Sequence, residues 1–441
     1  MIIRKFFYLF LLIIGCSSDG LKKERDTIKI GGLAPLTGVD AAWGEVVATT
    51  FKYAEDEINS EGGVLGKPLE IIICDYGESP EGVKMCLQRF ISRGIKIIVG
   101  PDTSETLISG VCRWDEQEDL EREKKCPFVS ENKILVMGTW PTSPIISNIE
   151  DGGFIFRICP SDEFQAKVLA NHIISKEIKK ISVIYRDDWD GREFSKVLTE
   201  EITKLGGEIL SAVPYPPDKT KNFKEDVNEL YRKGEPDGIF LYTFGKDGIN
   251  LLVELRNFIL ENRKNTPKLF GCDCNQFPEI SGGPAGDLVK GNMEGTTISP
   301  PGDDPDYESF RKKLIDRFGD DGAVDFLTYD AVYVIAVAIE SAGTYESDKV
   351  KDKIVEVTNG GEIVKPPSAD GGSWKLIKEK IKSGLDIDYK GVSGDVDFTQ
   401  NGDIRSSTYI IWRIKETKGE LSDFEEIESV KVKDGKIVGI E

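Results

Sequence analysis

A strand, a loop and a helix occupy residues 28–66, and this unit constrains the fold of the chain more than any other stretch. The β-branched residues Ile28 and Ile30 predict a strand, which Gly31 and Gly32 lead into a turn rich in proline and glycine. Apolar residues then recur at three- and four-residue steps and predict one buried helix face: Trp43, Val47, Phe51, Ala54 and Ile58. A strand that passes through a short loop into a helix is the repeating unit of α/β sheets.

The same unit recurs along the chain, and a second series of strands and helices starts near residue 154. After the first strand, the predicted strands are Leu69–Cys74, Ile95–Val99, Ile134–Met137, Phe154–Arg157, Ile181–Tyr185, Ile209–Tyr215, Gly238–Tyr242, Lys268–Gly271 and Tyr409–Ile414. Strands separated by helices imply right-handed crossovers, so we predict an α/β fold with mainly parallel, doubly wound sheets. Ligands of such sheets bind beyond the carboxyl ends of the strands.

Length and charge limit the class of protein. The chain has 441 residues, enough for two domains, and its 30 % charged and 39 % hydrophobic residues are typical of a soluble globular protein. The formal net charge of −20 argues against nucleic acid or an anionic membrane surface as a partner, because both require a basic face. We therefore expect no nucleic-acid partner.

The first residues predict export rather than fold. Two basic residues precede the apolar stretch Phe6–Ile14, which is too short to span a bilayer, so residues 1–15 are predicted to be a signal peptide. The following Ile-Ile-Gly-Cys-Ser run resembles the bacterial lipobox, which implies lipidation of Cys16 and residues 16–26 as a solvated tether. A plain secretory signal with a chance cysteine is the alternative. Either reading places the protein outside the cytoplasm.

Besides Cys16, the chain has seven cysteines: Cys74, Cys86, Cys112, Cys126, Cys159, Cys272 and Cys274. Outside the cytoplasm they are disulfide candidates first and metal ligands second. Cys112 and Cys126 bracket a charged insertion, and Cys74 and Cys86 form a second local pair, so these are the pairs we expect. The odd number leaves at least one cysteine free or paired between chains, and the sequence alone does not fix the connectivity.

Residues for catalysis are scarce. His172 is the only histidine, so a metal site with several histidines cannot form, and a catalytic triad would have to use this one residue. No phosphate-binding glycine loop occurs in the sequence. We predict no catalytic residue, no cofactor and no metal. One exception is the run Cys272-Asp273-Cys274, which could begin a thiol or metal site, although a closed zinc site needs four ligands. A thiol- or metal-dependent enzyme is therefore a remote alternative.

Several runs agree with one family in order and spacing. They are APLTG, the Trp43-Gly44 pair, EINSEGGVLGKP, IIVGPDTS, the YDA start at Tyr329 and GVSGDVDFTQNGD. The chain thus resembles the type I periplasmic solute-binding proteins, the Leu/Ile/Val-binding family of ABC importers. The resemblance implies a two-lobed periplasmic-binding-protein-like I fold, in which each lobe is a mainly parallel doubly wound sheet and three crossover segments join the lobes.

The resemblance also implies that each lobe is discontinuous. Lobe 1 is expected to comprise residues 27–161 plus 298–405, and lobe 2 residues 162–297 plus 406–441. Two stretches depart from the family pattern: the insertion 113–125, and the segment 360–372, which we predict to be a surface loop.

The family's ligand-binding positions can be carried over residue by residue. On lobe 1, the hydroxyl that binds a ligand carboxylate falls on Ser104, with Thr103 adjacent, and a second hydroxyl falls on Thr142. Trp43 matches the aromatic residue of the first loop, while Trp140 crowds the Thr142 loop, where the family has small residues.

On lobe 2, Asp162 matches an acidic position at the crossover, and Asp273 falls where an acidic residue holds the ligand ammonium. Tyr242, or Thr243 beside it, falls where a family tyrosine closes over the ligand. Trp189 is one residue from the family's aromatic position, where Asp190 stands instead. For all these residues, a loop or packing role near the cleft is the alternative.

The resemblance implies a monomeric, extracytoplasmic substrate-binding lipoprotein. It would bind an amino acid or similar small polar solute between its lobes and deliver it to an ABC permease in the membrane. A sensory module of the same fold, which hands its closed form to a membrane receptor, is the alternative from the same fold class.

Overall fold

A computed structural model describes residues 26–38, 40–113, 125–277, 279–415 and 424–440. The predicted signal peptide, Cys16 and almost all of the 113–125 insertion lie outside these ranges. The described chain is an α/β protein with two lobes, each organised around its own sheet.

The first lobe contains a parallel five-stranded sheet. Its strands are β1 (Ile28–Ala34), β2 (Leu69–Asp75), β3 (Ile97–Val99), β4 (Leu135–Gly138) and β5 (Ile155–Arg157). Their spatial order is β2-β1-β3-β4-β5. They alternate with the π-helix Thr106–Cys112 and with the α-helices α1 (Ala41–Ser60), α2 (Pro80–Ile91) and α3 (Pro127–Asn132). Gly31 and Gly32 lie within β1, where an added Cβ would stand 2.8 Å from the ring of Phe90 or Phe51.

The second lobe contains an eight-stranded mixed sheet. Its strands are β6 (Lys180–Arg186), β7 (Glu208–Tyr215), β8 (Gly238–Tyr242), β9 (Lys268–Gly271), β10 (Met293–Ile298), β14 (Ser406–Ile414), β15 (Phe424–Lys433) and β16 (Lys436–Ile440). The spatial order is β16-β15-β14-β10-β9-β8-β6-β7. Neighbours among β6 to β10 run parallel, and β14 to β16 add an antiparallel edge. The helices of this lobe are α4 (Asp162–Ser175), α5 (Trp189–Lys204), α6 (Lys224–Leu230), α7 (Gly245–Asn262), α8 (Glu279–Gly282) and α9 (Gly286–Val289).

The chain passes between the sheets three times: after β5, after β10 and before β14. The elements between the last two passes join the core of the first lobe. They are α10 (Pro305–Phe318), α11 (Phe326–Ala342), α12 (Ser347–Val357), α13 (Trp374–Lys382) and the small sheet of β11 (Glu362–Val364), β12 (Ile387–Gly391) and β13 (Gly394–Asp395). Each lobe is therefore built from separate parts of the chain, and the residue-level boundaries given above stay predictions.

Helix α11 forms the centre of the first lobe. Its residues from Leu327 to Ile339 are all buried, which is the behaviour of a core helix. Across the described ranges, no single helix has the length and apolar composition to cross a membrane, and only α11 and α12, bent by 108°, satisfy such a test together.

The segment 360–372 is not the surface loop that the sequence predicts. It contributes β11 and then turns inward, so that Ser368 and Ala369 are buried. The Ser368 hydroxyl lies 2.8 Å from the Tyr53 hydroxyl and donates to Glu57 Oε1 at 2.8 Å. Glycine and proline content predicted a loop, but these long-range hydrogen bonds join the segment to α1.

Both predicted disulfides are present. Cys74 pairs with Cys86, which fixes the end of β2 against α2, and Cys112 pairs with Cys126. The Cα atoms of the second pair are 4.6 Å apart, so the two ends of the 113–125 insertion are held together. Cys159, Cys272 and Cys274 have free thiols.

Candidate functional site

The carboxyl ends of the parallel strands face the cleft between the lobes, and Ser104 lies at this edge of the first sheet. Its Oγ accepts hydrogen bonds from the backbone N–H groups of Thr142, at 3.1 Å, and Ser143, at 3.0 Å. Its hydroxyl also lies close enough to Asp190 on α5 of the second lobe to lower the pKa of that carboxyl group. Ser104 thus holds the Thr142 loop directly and lies beside an acid of the second lobe.

The Thr142 loop forms a second bridge. Thr142 Oγ1 donates to Asp162 Oδ2 at 2.9 Å, and the Asp162 N–H donates back to the Thr142 carbonyl at 2.9 Å. Asp162 is the first residue of α4, and Ser161 caps that helix by accepting from the Glu163 N–H. Of the two hydroxyls predicted to face a ligand, Thr142 thus donates to an aspartate of the second lobe, and Ser104 lies beside another.

The Arg157 side chain holds the Thr142 loop in place. It is fully buried at the end of β5 and donates to the carbonyls of Pro141, at 3.2 Å, and Ser143, at 2.8 Å. It also donates to Ser147 Oγ at 2.8 Å and pairs with Asp403 Oδ1 at 2.6 Å. One guanidinium therefore fixes the Thr142 loop and links it to the segment that precedes β14.

Aromatic rings and two aspartates line the first lobe beside Ser104. Trp43 Nε1 donates to Asp102 Oδ2 at 2.7 Å, and the Tyr76 hydroxyl donates to the other oxygen of Asp102. Trp140 meets Trp43 edge to face at 6.1 Å between ring centroids and donates to Asp325 Oδ2 at 3.0 Å. The Trp43 and Trp140 indole N–H groups are thus already paired within the lobe.

Thr103, the other candidate on this lobe, has a local role. Its side chain is exposed, and its Oγ1 lies 2.7 Å from Thr106 Oγ1 and accepts from the Thr106 N–H at 3.2 Å. These contacts brace the start of the helical turn that follows Ser104.

Three acidic side chains, the cleft carboxylates, come together on the second lobe: Asp162, Asp190 and Asp273. Burial raises the pKa of Asp162 well above its usual range, and the charges of the other two raise it further. Burial also raises the pKa of Asp190 to about 7, although the Ser104 hydrogen bond opposes this. The three groups therefore disfavour one another's ionised forms.

The Asp273 side chain is accessible to solvent, yet the protein atoms around it desolvate its carboxyl group and raise its pKa. A side chain that faces the space of the cleft has both properties, because protein surrounds it without packing against it. Gln165 Nε2 donates to Asp273 Oδ1 at 2.8 Å and to the Thr296 carbonyl at 3.0 Å. Asp273 thus lines the cleft with one oxygen held in place.

The remaining candidates frame the cleft. Tyr242 is buried at the end of β8, close enough to Asp162 and Asp190 that their charges raise its pKa beyond the effect of burial. Trp189 packs against the core of the first lobe although it belongs to α5, and it shares a groove at the rim with Arg192 and Pro144. Tyr242 therefore lies with the cleft carboxylates, whereas Trp189 joins the two lobes at their outer edge.

Two cysteines flank Asp273. Cys272 Sγ and Cys274 Sγ are 2.6 Å apart, and burial raises the pKa of both thiols. Among the described residues, no group of three or more histidine, cysteine, aspartate or glutamate side chains could hold a metal ion. His172 is buried and bonded to Glu294 Oε2 at 2.6 Å, so it packs the second lobe rather than lining the cleft.

The sequence did not single out three residues that form part of this site. Gln165 follows Asp162 by three residues, and this spacing on one helix face could have indicated it. Arg186 ends β6, pairs with Asp188 and stacks on the Phe244 ring at 3.8 Å. Asp190 was noted only as a departure from an aromatic position, and no local pattern shows its contact with Ser104.

Two α/β lobes, three chain passages and a polar cleft between the sheets define the class of two-lobed binding proteins. The periplasmic binding protein family model matches residues 27–416, so the chain belongs to this family. The Leu/Ile/Val-binding relatives and the two solved structures described next are substrate-binding proteins rather than enzymes.

Among its relatives is the Leu/Ile/Val-binding protein BraC3 of Rhizobium johnstonii, 26 % identical over 72 % of this chain and 80 % of the relative. Leu/Ile/Val-binding protein homolog 1 of Brucella abortus is 23 % identical over 88 % of this chain and 90 % of its own length.

Two solved structures share the fold. A leucine binding protein from Thermotoga maritima aligns with a TM-score of 0.69 and 20 % identity, covering 92 % of this chain and 99 % of its own. A solute binding protein from Rhodopseudomonas palustris, solved with p-hydroxybenzoic acid, also gives a TM-score of 0.69, at 18 % identity and coverages of 93 % and 98 %. These likenesses establish a fold that serves both an amino-acid and an aromatic-acid binder.

Proposed function

We propose that this protein is the extracytoplasmic, lipid-anchored substrate-binding component of an ABC importer. It binds an amino acid or a similar small polar solute in the cleft between its lobes and presents the closed form to a membrane permease. The observation that carries this proposal is the contact of Thr142 with Asp162, because it brings polar groups of both lobes together at the edge of the cleft, with Ser104 and Asp190 beside them.

The mechanism is closure of two lobes around a solute. Thr142 contacts Asp162 directly and Ser104 lies beside Asp190, so the two lobes approach each other closely at this edge of the cleft. A solute that contacts both lobes stabilises the closed form by its differential affinity for that form. The permease then distinguishes the closed shape from the open one.

A thermal-shift screen tests the binding function. The full chain, purified in mild detergent, is heated with amino acids, small amides, urea and aromatic acids in turn. A solute that binds only the folded state raises the unfolding midpoint by mass action. A concentration-dependent rise with one solute class supports the proposal, and no rise with any solute at millimolar concentration contradicts it.

A separate experiment tests the anchor. If Cys16 carries the lipid, Cys16→Ser should move the protein from the membrane fraction to the soluble fraction of the cells that express it. Cys159→Ser, which changes a buried thiol far from the lipobox, is the matched control and should leave the protein at the membrane. Membrane attachment of Cys16→Ser would contradict the lipid anchor and leave the binding function standing.

A further inference from the structure

The cleft carboxylates lack cations of their own. Two arginines lie near them, and each is already paired with a different carboxylate. Arg186 pairs with Asp188, and Arg157 pairs with Asp403 at 2.6 Å. Both arginines lower the pKa of a cleft carboxylate, but neither donates a hydrogen bond to one. The described residues thus leave three carboxylates that no protein cation directly neutralises.

The surroundings of the two hydroxyls on the first lobe also disfavour a negatively charged ligand group. Family resemblance assigns Ser104 and Thr142 to a ligand carboxylate, yet here the Thr142 hydroxyl donates to Asp162 and the Ser104 hydroxyl lies beside Asp190. An incoming carboxylate would have to displace these bonds and would then lie beside two aspartates. Like charges at such short range repel, and low local dielectric strengthens that repulsion. A positively charged group meets no such obstacle.

Polar atoms without partners surround the cleft carboxylates. Gln165 is 1 % exposed, and its Oε1 has no hydrogen-bond partner. Its orientation is fixed, because the Nε2 donates to Asp273 and to the Thr296 carbonyl, neither of which can donate in return when Asp273 is ionised. Tyr409 is 0 % exposed, and its unpartnered hydroxyl lies close enough to Asp162 and Asp273 for their charges to raise its pKa.

Asp190 adds a third unpartnered atom. Its Oδ1 is buried and has no hydrogen-bond partner, while Ser104 lies close enough to lower the pKa of its carboxyl group. Buried polar atoms are normally paired, and leaving one unpaired is unfavourable. The amide oxygen and the carboxylate oxygen are acceptors, and the tyrosine oxygen can accept as well. A ligand that completes this set must be rich in hydrogen-bond donors, and the neighbouring carboxylates favour N–H donors because an ammonium group carries positive charge as well.

We propose that the cleft takes a small solute with two positively charged nitrogen groups, one facing Asp273 and Gln165 and the other facing Asp162 and Asp190. Diamines and basic amino acids share this chemistry. The inference rests on the proposed function, since it names the charge of the solute that the same cleft binds.

The two cations have separate places because the cleft carboxylates belong to two networks. Asp273 is held by Gln165 on the second lobe, whereas Asp162 and Asp190 are joined to the first lobe through Thr142 and Ser104. A solute with one ammonium can neutralise only one network. A solute with a negative ring carboxylate, such as the ligand of the Rhodopseudomonas protein, neutralises neither.

Calorimetry on the full chain at pH 8 tests the inference with four probes: 1,4-diaminobutane, L-lysine, L-leucine and 4-hydroxybenzoate. We expect diaminobutane or lysine to bind at least tenfold more tightly than leucine, as one additional charge-assisted contact requires. Tight binding of both dications supports the common class, and binding of lysine alone identifies the diamino acid. Leucine or hydroxybenzoate binding more tightly than both dications overturns this inference and leaves the proposed function intact.

An Asp190→Asn variant tests the cation site at Asp162 and Asp190 separately from the site at Asp273 and Gln165. It keeps the size of the side chain and removes its charge, so we expect the affinity for the dication to fall at least tenfold, and by a larger factor than the affinity for leucine, which carries a single cation. Glu200→Gln, which removes one charge from an exposed position on the same helix, is the control and should bind as the parent does. Unchanged dication affinity in Asp190→Asn overturns the inference. If no probe binds, the inference also fails, and the wider thermal-shift screen then decides the proposed function.

Discussion

The first and second lobes bury acidic side chains beside the same cleft, but in different surroundings. On the first lobe, Asp102 accepts from Trp43 and Tyr76, so both of its oxygens have donors. On the second lobe, Asp190 has one oxygen without a partner, and other acids lie near it. Burial alone therefore does not identify a binding group. We interpret an acid whose oxygens already accept hydrogen bonds from the protein as structural, and an acid with an unpartnered oxygen as a candidate to bind a ligand.

We expect the largest change in stability from a substitution at Asp102, in the wall of the first lobe. Asp102→Ala leaves the Trp43 indole N–H and the Tyr76 hydroxyl without an acceptor, so we expect it to lower the free energy of unfolding by about 4 kcal/mol. Chemical denaturation of the parent and the variant measures this loss. Asp102→Asn keeps one acceptor oxygen and should lose less. A small loss in Asp102→Ala would remove the distinction between the two lobes.

A smaller effect of opposite sign is expected on the second lobe. The native pKa of Asp190 is about 7, whereas an unfolded aspartate titrates near 4, so between these values the folded state holds more protons. Stability contributed by this group therefore falls as pH rises from about 4 to about 7 and stays low above it. The charged and titratable groups that face Asp190 are Asp162, Arg186, Asp188, Tyr242 and Asp273.

Asp190→Asn removes this titration. Three pKa units correspond to at most about 4 kcal/mol, and solvent screening reduces this because Asp190 is only half-buried. We therefore expect the ligand-free variant to be more stable than the parent by about 2 kcal/mol at pH 8 and nearly equal to it at pH 4. Denaturant midpoints across that range provide the measurement. A variant that is less stable at pH 8 would show that Asp190 is a structural acid like Asp102, and the comparison would fail.

The smallest effect concerns the bridge between the lobes. Thr142→Ala removes the hydroxyl that donates to Asp162, and we expect a loss of about 1 kcal/mol in unfolding free energy. Thr142→Ser keeps a donor at the same position and should recover most of it. Equal stabilities of the alanine variant and the parent would show that the bridge contributes nothing, and the lobes would then be joined by packing alone.

Much of the fold was accessible from the sequence because it depends on local pattern. The spacing of apolar residues predicted α1, and the apolar run at residues 238–242 predicted β8. The segment 360–372 was misjudged, since its glycines and prolines indicate turns and cannot report that Ser368 reaches Glu57. The strands β15 and β16 were missed because their alternation is weak and charged residues interrupt it.

The site was less accessible than the fold for the same physical reason. The family resemblance assigned Ser104, Thr142, Asp162 and Asp273 to the cleft, but it did not predict the partners of their polar atoms. Asp190 meets Ser104 across 86 positions of sequence, and only the packing of two lobes creates that contact. The ligand assignments of the individual residues therefore stay predictions that the variants above can test.

The buried guanidinium of Arg157 has a consequence for the order of events during capture. It ties the Thr142 loop to Asp403 beside the last chain passage, so this loop travels with the first lobe as one rigid piece. A solute arriving at an open protein would then meet a first lobe whose shape is already final. Closure would then consist of bringing the second lobe against a surface that is already formed.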